Sequence, residues 1–429
     1  MDVEYNTEGW DAVYAGNLDV CNQQLINAFK TGQLPTSIDL TSYSGLWDVV
    51  GGASFSPWQF VLGGGPELLN LRLPFKGGSV RIKASKEVDI PLKDCALVVQ
   101  IGLRFVEGSN KNRELVFNLT PNPLGKVVTL IDVEDKSGSL QEYRSYLDSV
   151  INRFLIDHER DISFSVLAVA PKGAHSGPDW QVPTLECFCY VNRTNTTDSF
   201  IALLMMTQGR PVQSLMASPG AIAKGQNSGV LLRTPLFVGE VLKPAFPRMV
   251  SKDAKESDFI LDPNTATIYA KKTITGYGLK AGAITYYPQY KTLKLVPVGG
   301  GMRLEMSGKF SMGMGIELRF DIEAAYRLEQ VKGKNAVNLV PSGKPKVHTD
   351  RHIPWYDYFL VIGGLAAVAV LEIVTTIISD SLADDVVHLS QEFKIGESAL
   401  FDVIWTGYSD VVMTGADMSP DAMRLELTF

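Results

Sequence analysis

Cysteine is scarce in this chain, and the scarcity excludes a disulfide-built fold. Four cysteines in 429 residues, Cys21, Cys95, Cys187 and Cys189, are too few and too scattered for such a framework. Cys187 and Cys189 alternate instead of forming a C-x-x-C pair, so all four read as small buried residues of a reducing compartment. Positive charge is also in deficit: 40 Lys and Arg against 47 Asp and Glu leave a net charge of −7, which excludes a whole-molecule electrostatic grip on nucleic acid. The opening MDVEYNTEGWDAVYAG has neither a basic region nor an apolar core, so synthesis in the cytoplasm without a signal peptide is expected, with release, if any, by a non-Sec route. Catalytic motifs are missing as well. Gly63-Gly64-Gly65 and Gly299-Gly300-Gly301 lack any phosphate-loop context and read as turns. No G-x-S-x-G elbow and no H-E-x-x-H pair occurs, so no catalytic residue, metal or cofactor is assigned and a non-enzyme is expected.

What the chain does have is hydrophobic alternation. From Phe310 to Ile322, Phe310, Met312, Met314, Ile316, Leu318, Phe320 and Ile322 alternate with small or polar residues, the period of an extended strand. Thirteen residues at about 3.3 Å each span roughly 43 Å, well beyond the usual ~17–20 Å of a strand. A one-sided strand of that length needs a long apolar partner, and Phe359 to Ile378 supplies an apolar run broken only by Glu372 and two threonines. Together they predict a tube of long sheet around long helix.

The same logic organises the rest. Tyr14, Leu18, Cys21, Leu25 and Ala28 with Phe29 form an amphipathic stripe of about five helical turns. Strand patterns follow at Glu67 to Phe75, Ser79 to Ala84, Ala96 to Val106, Glu114 to Leu119 and Lys126 to Val133, with Gly77-Gly78 reading as a turn between two of them. A second helix is predicted over Leu140 to Leu155, then strands at Asp161 to Ala170, Leu185 to Val191 and Phe200 to Met206. The Pro- and Gly-dense stretch Gly209 to Pro247 is the expected boundary between halves 1–208 and 209–429. Strands resume over Ala266 to Ile274, Ile284 to Val298 and Met302 to Met306. After the apolar helix come Val386 to Ile395, Ala399 to Thr406 and Met423 to Phe429.

The block Asn6-Thr7-Glu8-Gly9-Trp10-Asp11-Ala12-Val13-Tyr14 resembles the opening of the clostridial P47 and OrfX proteins. Leu46 to Gly52, Leu71 to Phe75, Asp94-Cys95 and Leu400 to Gly407 with Trp405 are similar to that family's later blocks in the same order, nearest the P47 branch. The resemblance implies an α+β, TULIP-like elongated tube with curved antiparallel sheets wrapped around long helices. It also implies an accessory role in a botulinum-like or insecticidal toxin gene cluster. Candidate partners are then lipid, through a phosphoinositide headgroup or an acyl chain, and other OrfX/P47-type proteins or the toxin. The alternative is an assembly protein that docks other cluster products without lipid.

Within that frame Met302, Met306, Phe310, Met312, Met314, Ile316, Leu318 and Phe320 are the lipid-groove candidates, because unbranched methionines accept acyl chains of varied shape; an irregular core uses the same residues. Lys332, Lys334, Lys344, Lys346 and Arg351 are the headgroup or membrane candidates, and a solvated loop uses those equally. Phe359 to Ile378 is long enough to cross a bilayer, but Glu372 inside hydrocarbon would cost about 2.5–3.5 kcal/mol, so a buried helix is expected. His348, Asp350 and His352 alternate at a spacing metals use, and read as part of a solvated basic loop.

Overall fold

The computed structural model describes residues 4–43, 48–83, 87–108, 111–169, 180, 182–211, 214–281, 284–311, 317–332, 337–352, 403–408 and 411–429. The apolar run Phe359 to Ile378, the strand expected at Val386 to Ile395, and Met312, Met314, Ile316 and Lys334 lie outside these residues. The chain divides into two compact units, neither continuous in sequence. One comprises Tyr14–Ser228, Phe401–Asp410 and Phe429; the other comprises Met1–Val13, Gly229–Leu400 and Val411–Thr428. The passage at Ser228 falls within the Pro- and Gly-dense stretch. The architecture is α+β, and its long strands pair antiparallel.

In the 14–228 unit the main sheet runs in the order Ser37–Asp39, Val49–Phe55, Leu68–Lys83, Ala96–Glu107, Arg113–Phe117, Ser165–Val169 and Val403–Trp405. Leu68–Lys83 is a single strand of 16 residues, not two strands and a turn. The glycine pair marks a bulge: Ser54 opposes Gly77 while Phe55 opposes Phe75, leaving Lys76 as the extra residue. Gly78 sits at φ +120°, and a Cβ there would lie 2.2 Å from the Gly52 carbonyl oxygen, so a side chain has no room.

The first helix covers Leu18–Lys30, shorter than the stripe suggested. Tyr14 belongs to the strand Ala12–Asn17, whose six residues are all buried. Two-sided burial favours extended backbone there, and Asn17 ends it: its side chain accepts a hydrogen bond from the Val20 amide at 3.0 Å, capping the helix. The helix is clamped to the Gln59–Gly65 strand by Asn22, which accepts from the Phe60 N–H at 2.6 Å and donates to the Phe60 carbonyl at 3.0 Å. Gln24 donates to the carbonyls of Val166 at 3.1 Å and Thr406 at 2.8 Å, tying in the late Val403–Trp405 strand. Gly16 provides the space for that strand's indole, since a Cβ would fall 2.8 Å from the Trp405 ring.

The second helix, Arg144–Asp157, follows a 3-10 turn at Gln141–Tyr143, close to the predicted span. It buries Leu147, Val150, Ile151 and Phe154. Asn152 on this helix accepts from the amides of Val127 at 2.8 Å and Val128 at 3.0 Å, which fixes it against the Val128–Glu134 strand. Phe154 meets Phe55 at 5.8 Å between ring centroids, joining helix to sheet.

In the 229–428 unit the main sheet runs Phe259–Asp262, Thr267–Ala270, Pro288–Val298, Gly301–Ser311, Glu317–Gln330 and Val337–Pro341, with Lys346–His352 also paired to Glu317–Gln330. The proposed single strand Phe310 to Ile322 is therefore corrected. Phe310 opposes Leu318 and Ser311 opposes Glu317, so the chain reverses between Ser311 and Glu317. In this register even-numbered residues oppose even-numbered ones, so the apolar positions keep the same parity on both strands. Period two alone cannot separate that hairpin from one long strand. His348, Asp350 and His352 lie on the strand Lys346–His352 and not in a loop.

The stretch around Pro235, Pro244 and Pro247, read only as a boundary, contains the helical run Thr234–Phe237, Val238–Leu242 and Lys243–Val250. Pro235 and Pro244 stand in the first turns of their segments, where no N–H is needed. The opening Asn6 to Asp11 is a structural device of this unit. Glu8 and Gly9 take positive φ of 50° and 88°, the Trp10 amide donates to the Thr7 carbonyl at 3.0 Å, and Trp10 is buried. Asp11, also buried, lies 3.9 Å from the Arg233 guanidinium, while the Arg233 N–H donates to the Asp11 carbonyl at 2.9 Å. Arg424 is buried as well, and Asp417 and Glu426, each 3.6 Å away, compensate its charge beneath the Tyr5 ring.

Two substitutions test these locks. Asn17→Ala is expected to lower stability by about 1 kcal/mol through loss of the cap. Trp405→Ala is expected to cost about 3–5 kcal/mol through the cavity it leaves. Urea unfolding midpoints read both, and wild-type midpoints would contradict the assignments.

Candidate functional site

The sequence-chosen residues fall on the two faces of one antiparallel array, Pro288–Val298, Gly301–Ser311, Glu317–Gln330 and Lys346–His352. A two-residue turn at Gly299-Gly300 joins the first pair, with Val298 opposite Gly301 and Gly300 at φ +83°. Between Tyr290 and Thr292 the register shifts by one residue, which keeps Tyr290 and Leu293 on the same buried side although they are three apart. Without that bulge, half the strand would present its apolar residues to water.

Of the lipid-groove candidates, Met302, Met306, Phe310, Leu318 and Phe320 share the buried face, at 0%, 3%, 1%, 2% and 1% exposure. Phe310 and Phe320 pack with centroids 5.1 Å apart, and Tyr290 meets Phe320 edge-on at 6.0 Å. Gly308 makes this possible, since a Cβ there would lie 2.9 Å from the Phe320 ring and 2.3 Å from the Gln289 carbonyl oxygen. Burial pushes the Tyr290 hydroxyl well above the usual phenol range.

The opposite face is polar. Lys309 and Glu317 pair at 2.5 Å, and the Lys309 hydrogen bond holds the Glu317 carboxyl below its ordinary pKa. Arg303 pairs with Glu305 at 2.8 Å. Lys346, a headgroup candidate, pairs with Glu323 at 3.2 Å and remains largely exposed. Lys332 follows the end of Glu317–Gln330 and Lys344 precedes Lys346–His352, both exposed; Arg351 lies on that last strand opposite Leu318. Lys346 joins the polar face of the array through this pair.

This polar face holds a concavity of about 420 Å³ lined by Thr292, Glu305, Met306, Ser307, Asp321, Ile322, Glu323, Lys346 and His348. Of these, Met306 and Lys346 were singled out for the groove and headgroup roles and His348 for its metal-like spacing; Thr292, Glu305, Ser307, Asp321 and Glu323 were not. The signal was present as odd-numbered polar alternation, but only the hairpin register brings Ser307 opposite Asp321. Among the described residues no three His, Cys, Asp or Glu side chains gather as a metal site. Burial raises the pKa of the Cys21, Cys95, Cys187 and Cys189 thiols, away from the reactive thiolate form. No helix among the described residues is long and apolar enough to cross a membrane.

A family model described as OrfX-like, Protein OrfX2/OrfX3/P47, matches residues 7–412. The chain belongs to that family. It is 25% identical over 383 residues to Protein P47 of Clostridium botulinum (strain Kyoto / Type A2), covering 86% of this chain and 87% of that protein. It is 22% identical over 402 residues to Protein OrfX3 of the same strain, covering 81% and 79%. The solved structure of P47 from Clostridium botulinum A2 superposes with a TM-score of 0.73 at 19% identity, covering 99% of this chain and 98% of that one. The chain thus has the P47 fold.

The buried face generates a stability test. Met306→Ala is expected to cost about 2–5 kcal/mol, because the site is closed and cannot collapse freely. Lys344→Ala, in exposed chain, is expected to leave the urea midpoint unchanged. A Met306→Ala midpoint equal to wild type would show that this face is not packed.

Proposed function

We propose that this chain is a non-enzymatic, TULIP-type accessory protein of a toxin gene cluster, built of two such halves, that acts by binding lipid. The observation that carries the reading is the apolar face of the Gly301–Ser311 and Glu317–Gln330 hairpin. Met302, Met306, Phe310 and Phe320 share it. A methionine-rich apolar surface re-packs easily, as a site for acyl chains of differing length requires. Membership of the OrfX-like family supports the accessory role. Lys346, paired but largely exposed on the other side, remains the headgroup candidate with Lys332, Lys344 and Arg351.

A second reading has one observation in its favour. The five described groove candidates are at most 3% exposed, as they are in a core filled by its own side chains. On that reading the protein docks other products of the cluster and carries no lipid.

Solvent extraction of the purified protein, followed by mass spectrometry, is expected to release lipid above the level from an unrelated protein prepared in parallel. Flotation with phosphatidylcholine vesicles containing phosphoinositide is expected to carry the protein upward. Absence of both results contradicts lipid binding. Co-purification of cluster products that survives Lys344→Glu with Lys346→Glu then identifies the docking reading.

A further inference from the structure

The concavity on the polar face has a chemistry of its own, independent of the lipid reading. Thr292 opposes Ser307, Ser307 opposes Asp321, and Asp321 opposes His348, so four polar side chains form one row across four strands. With strands about 4.8 Å apart, the row spans roughly 14 Å. All four line the concavity. In the neighbouring row Glu305 and Glu323 are engaged by Arg303 and Lys346. The side chains of Thr292, Ser307, Asp321 and His348, by contrast, make no hydrogen bond or ion pair among the described residues.

The row therefore offers ligand-binding capacity that the fold does not consume. Each hydroxyl donates and accepts, the carboxylate only accepts, and a neutral imidazole does one of each. A phosphate only accepts and is anionic, so it gains nothing from Asp321 and is repelled by it. An alkylammonium only donates, which satisfies Asp321 but leaves the imidazole N–H unmatched. Adjacent hydroxyl groups on one ligand, each both donor and acceptor, match all four side chains. The paired charges flanking the row add no net demand for a charged ligand.

We propose that Thr292, Ser307, Asp321 and His348 form a binding site for a neutral polyhydroxylated ligand, an oligosaccharide that is free or is the headgroup of a glycolipid. The row's ~14 Å accommodates about two or three sugar rings. Placement on four hydrogen-bonded strands fixes the spacing of the polar groups before the ligand arrives, which reduces the ordering cost of binding. The site lies on the face opposite Met302 and Met306, so either function can fail while the other persists.

The full chain would be tested on an array of neutral and sialylated oligosaccharides, with titration of the strongest neutral binder. Wild type is expected to bind a neutral oligosaccharide, and Asp321→Ala and His348→Ala are each expected to weaken it about tenfold. Lys136→Ala, at an exposed position of the 14–228 unit, is expected to bind as wild type. Because Asp321 makes no hydrogen bond or ion pair among the described residues, its substitution is expected to leave the thermal midpoint in place, which separates lost binding from lost folding. Phosphatidylcholine vesicles with and without galactosylceramide, compared with free oligosaccharide, distinguish the glycolipid from the soluble source. An array with no neutral oligosaccharide bound overturns the proposal. So does binding by both Asp321→Ala and His348→Ala within about twofold of wild type.

Discussion

Removal of one continuous apolar face from water is the constraint on which the 229–428 unit depends. Along Gly301–Ser311 and Glu317–Gln330 every second residue is buried, from Met302 through Phe310 and from Leu318 to Leu328. Each large side chain buried in this way contributes about 1.5–3 kcal/mol before the entropy of ordering is counted. The polar details serve that burial. The register shift after Tyr290 restores the phase of a third strand, Gly308 opens room for the Phe320 ring, and the ion pairs of Lys309, Arg303 and Lys346 occupy the remaining face. One pattern thus yields a lipophilic side and a hydrophilic side on the same strands, and the two proposed ligands divide between them.

The blocks in which the resemblance to the OrfX and P47 proteins was read have structural roles. Trp10 and Asp11 are buried, the first in a turn set by Glu8 and Gly9 and the second beside Arg233. Trp405 fills the space over Gly16, and Gln24 holds the carbonyls of Val166 and Thr406. These contacts join residues hundreds of positions apart within single units. Each of these blocks thus holds the fold together, and the proposed ligand-binding residues lie on other strands.

Local pattern made much of this legible in the sequence. The Leu140 to Leu155 stripe, the Ala96 to Val106 alternation and the apolar run Phe200 to Met206 all correspond to elements, because helical and extended backbones expose different periods to the core. Long-range pairing was not legible. Phe310 to Ile322 looks the same as one strand or as two, because the hairpin preserves parity. Gly77-Gly78 looks like a turn until Ser54 and Ala53 are placed opposite it. The Pro-rich stretch concealed helices because Pro235 and Pro244 occupy first turns. The Thr292–Ser307–Asp321–His348 row was hidden for the same reason as the hairpin: its members meet only through register, at separations no local window covers.

That register is open to direct measurement. Ser311 and Glu317 oppose one another across the hairpin, whereas in a single extended strand six residues would separate them by roughly 20 Å. In the double variant Ser311→Cys with Glu317→Cys, mild oxidation followed by peptide mapping is predicted to give a disulfide between the two new cysteines in the folded protein. Two free thiols at those positions, in protein that remains folded, would contradict the hairpin and the enclosed apolar face derived from it.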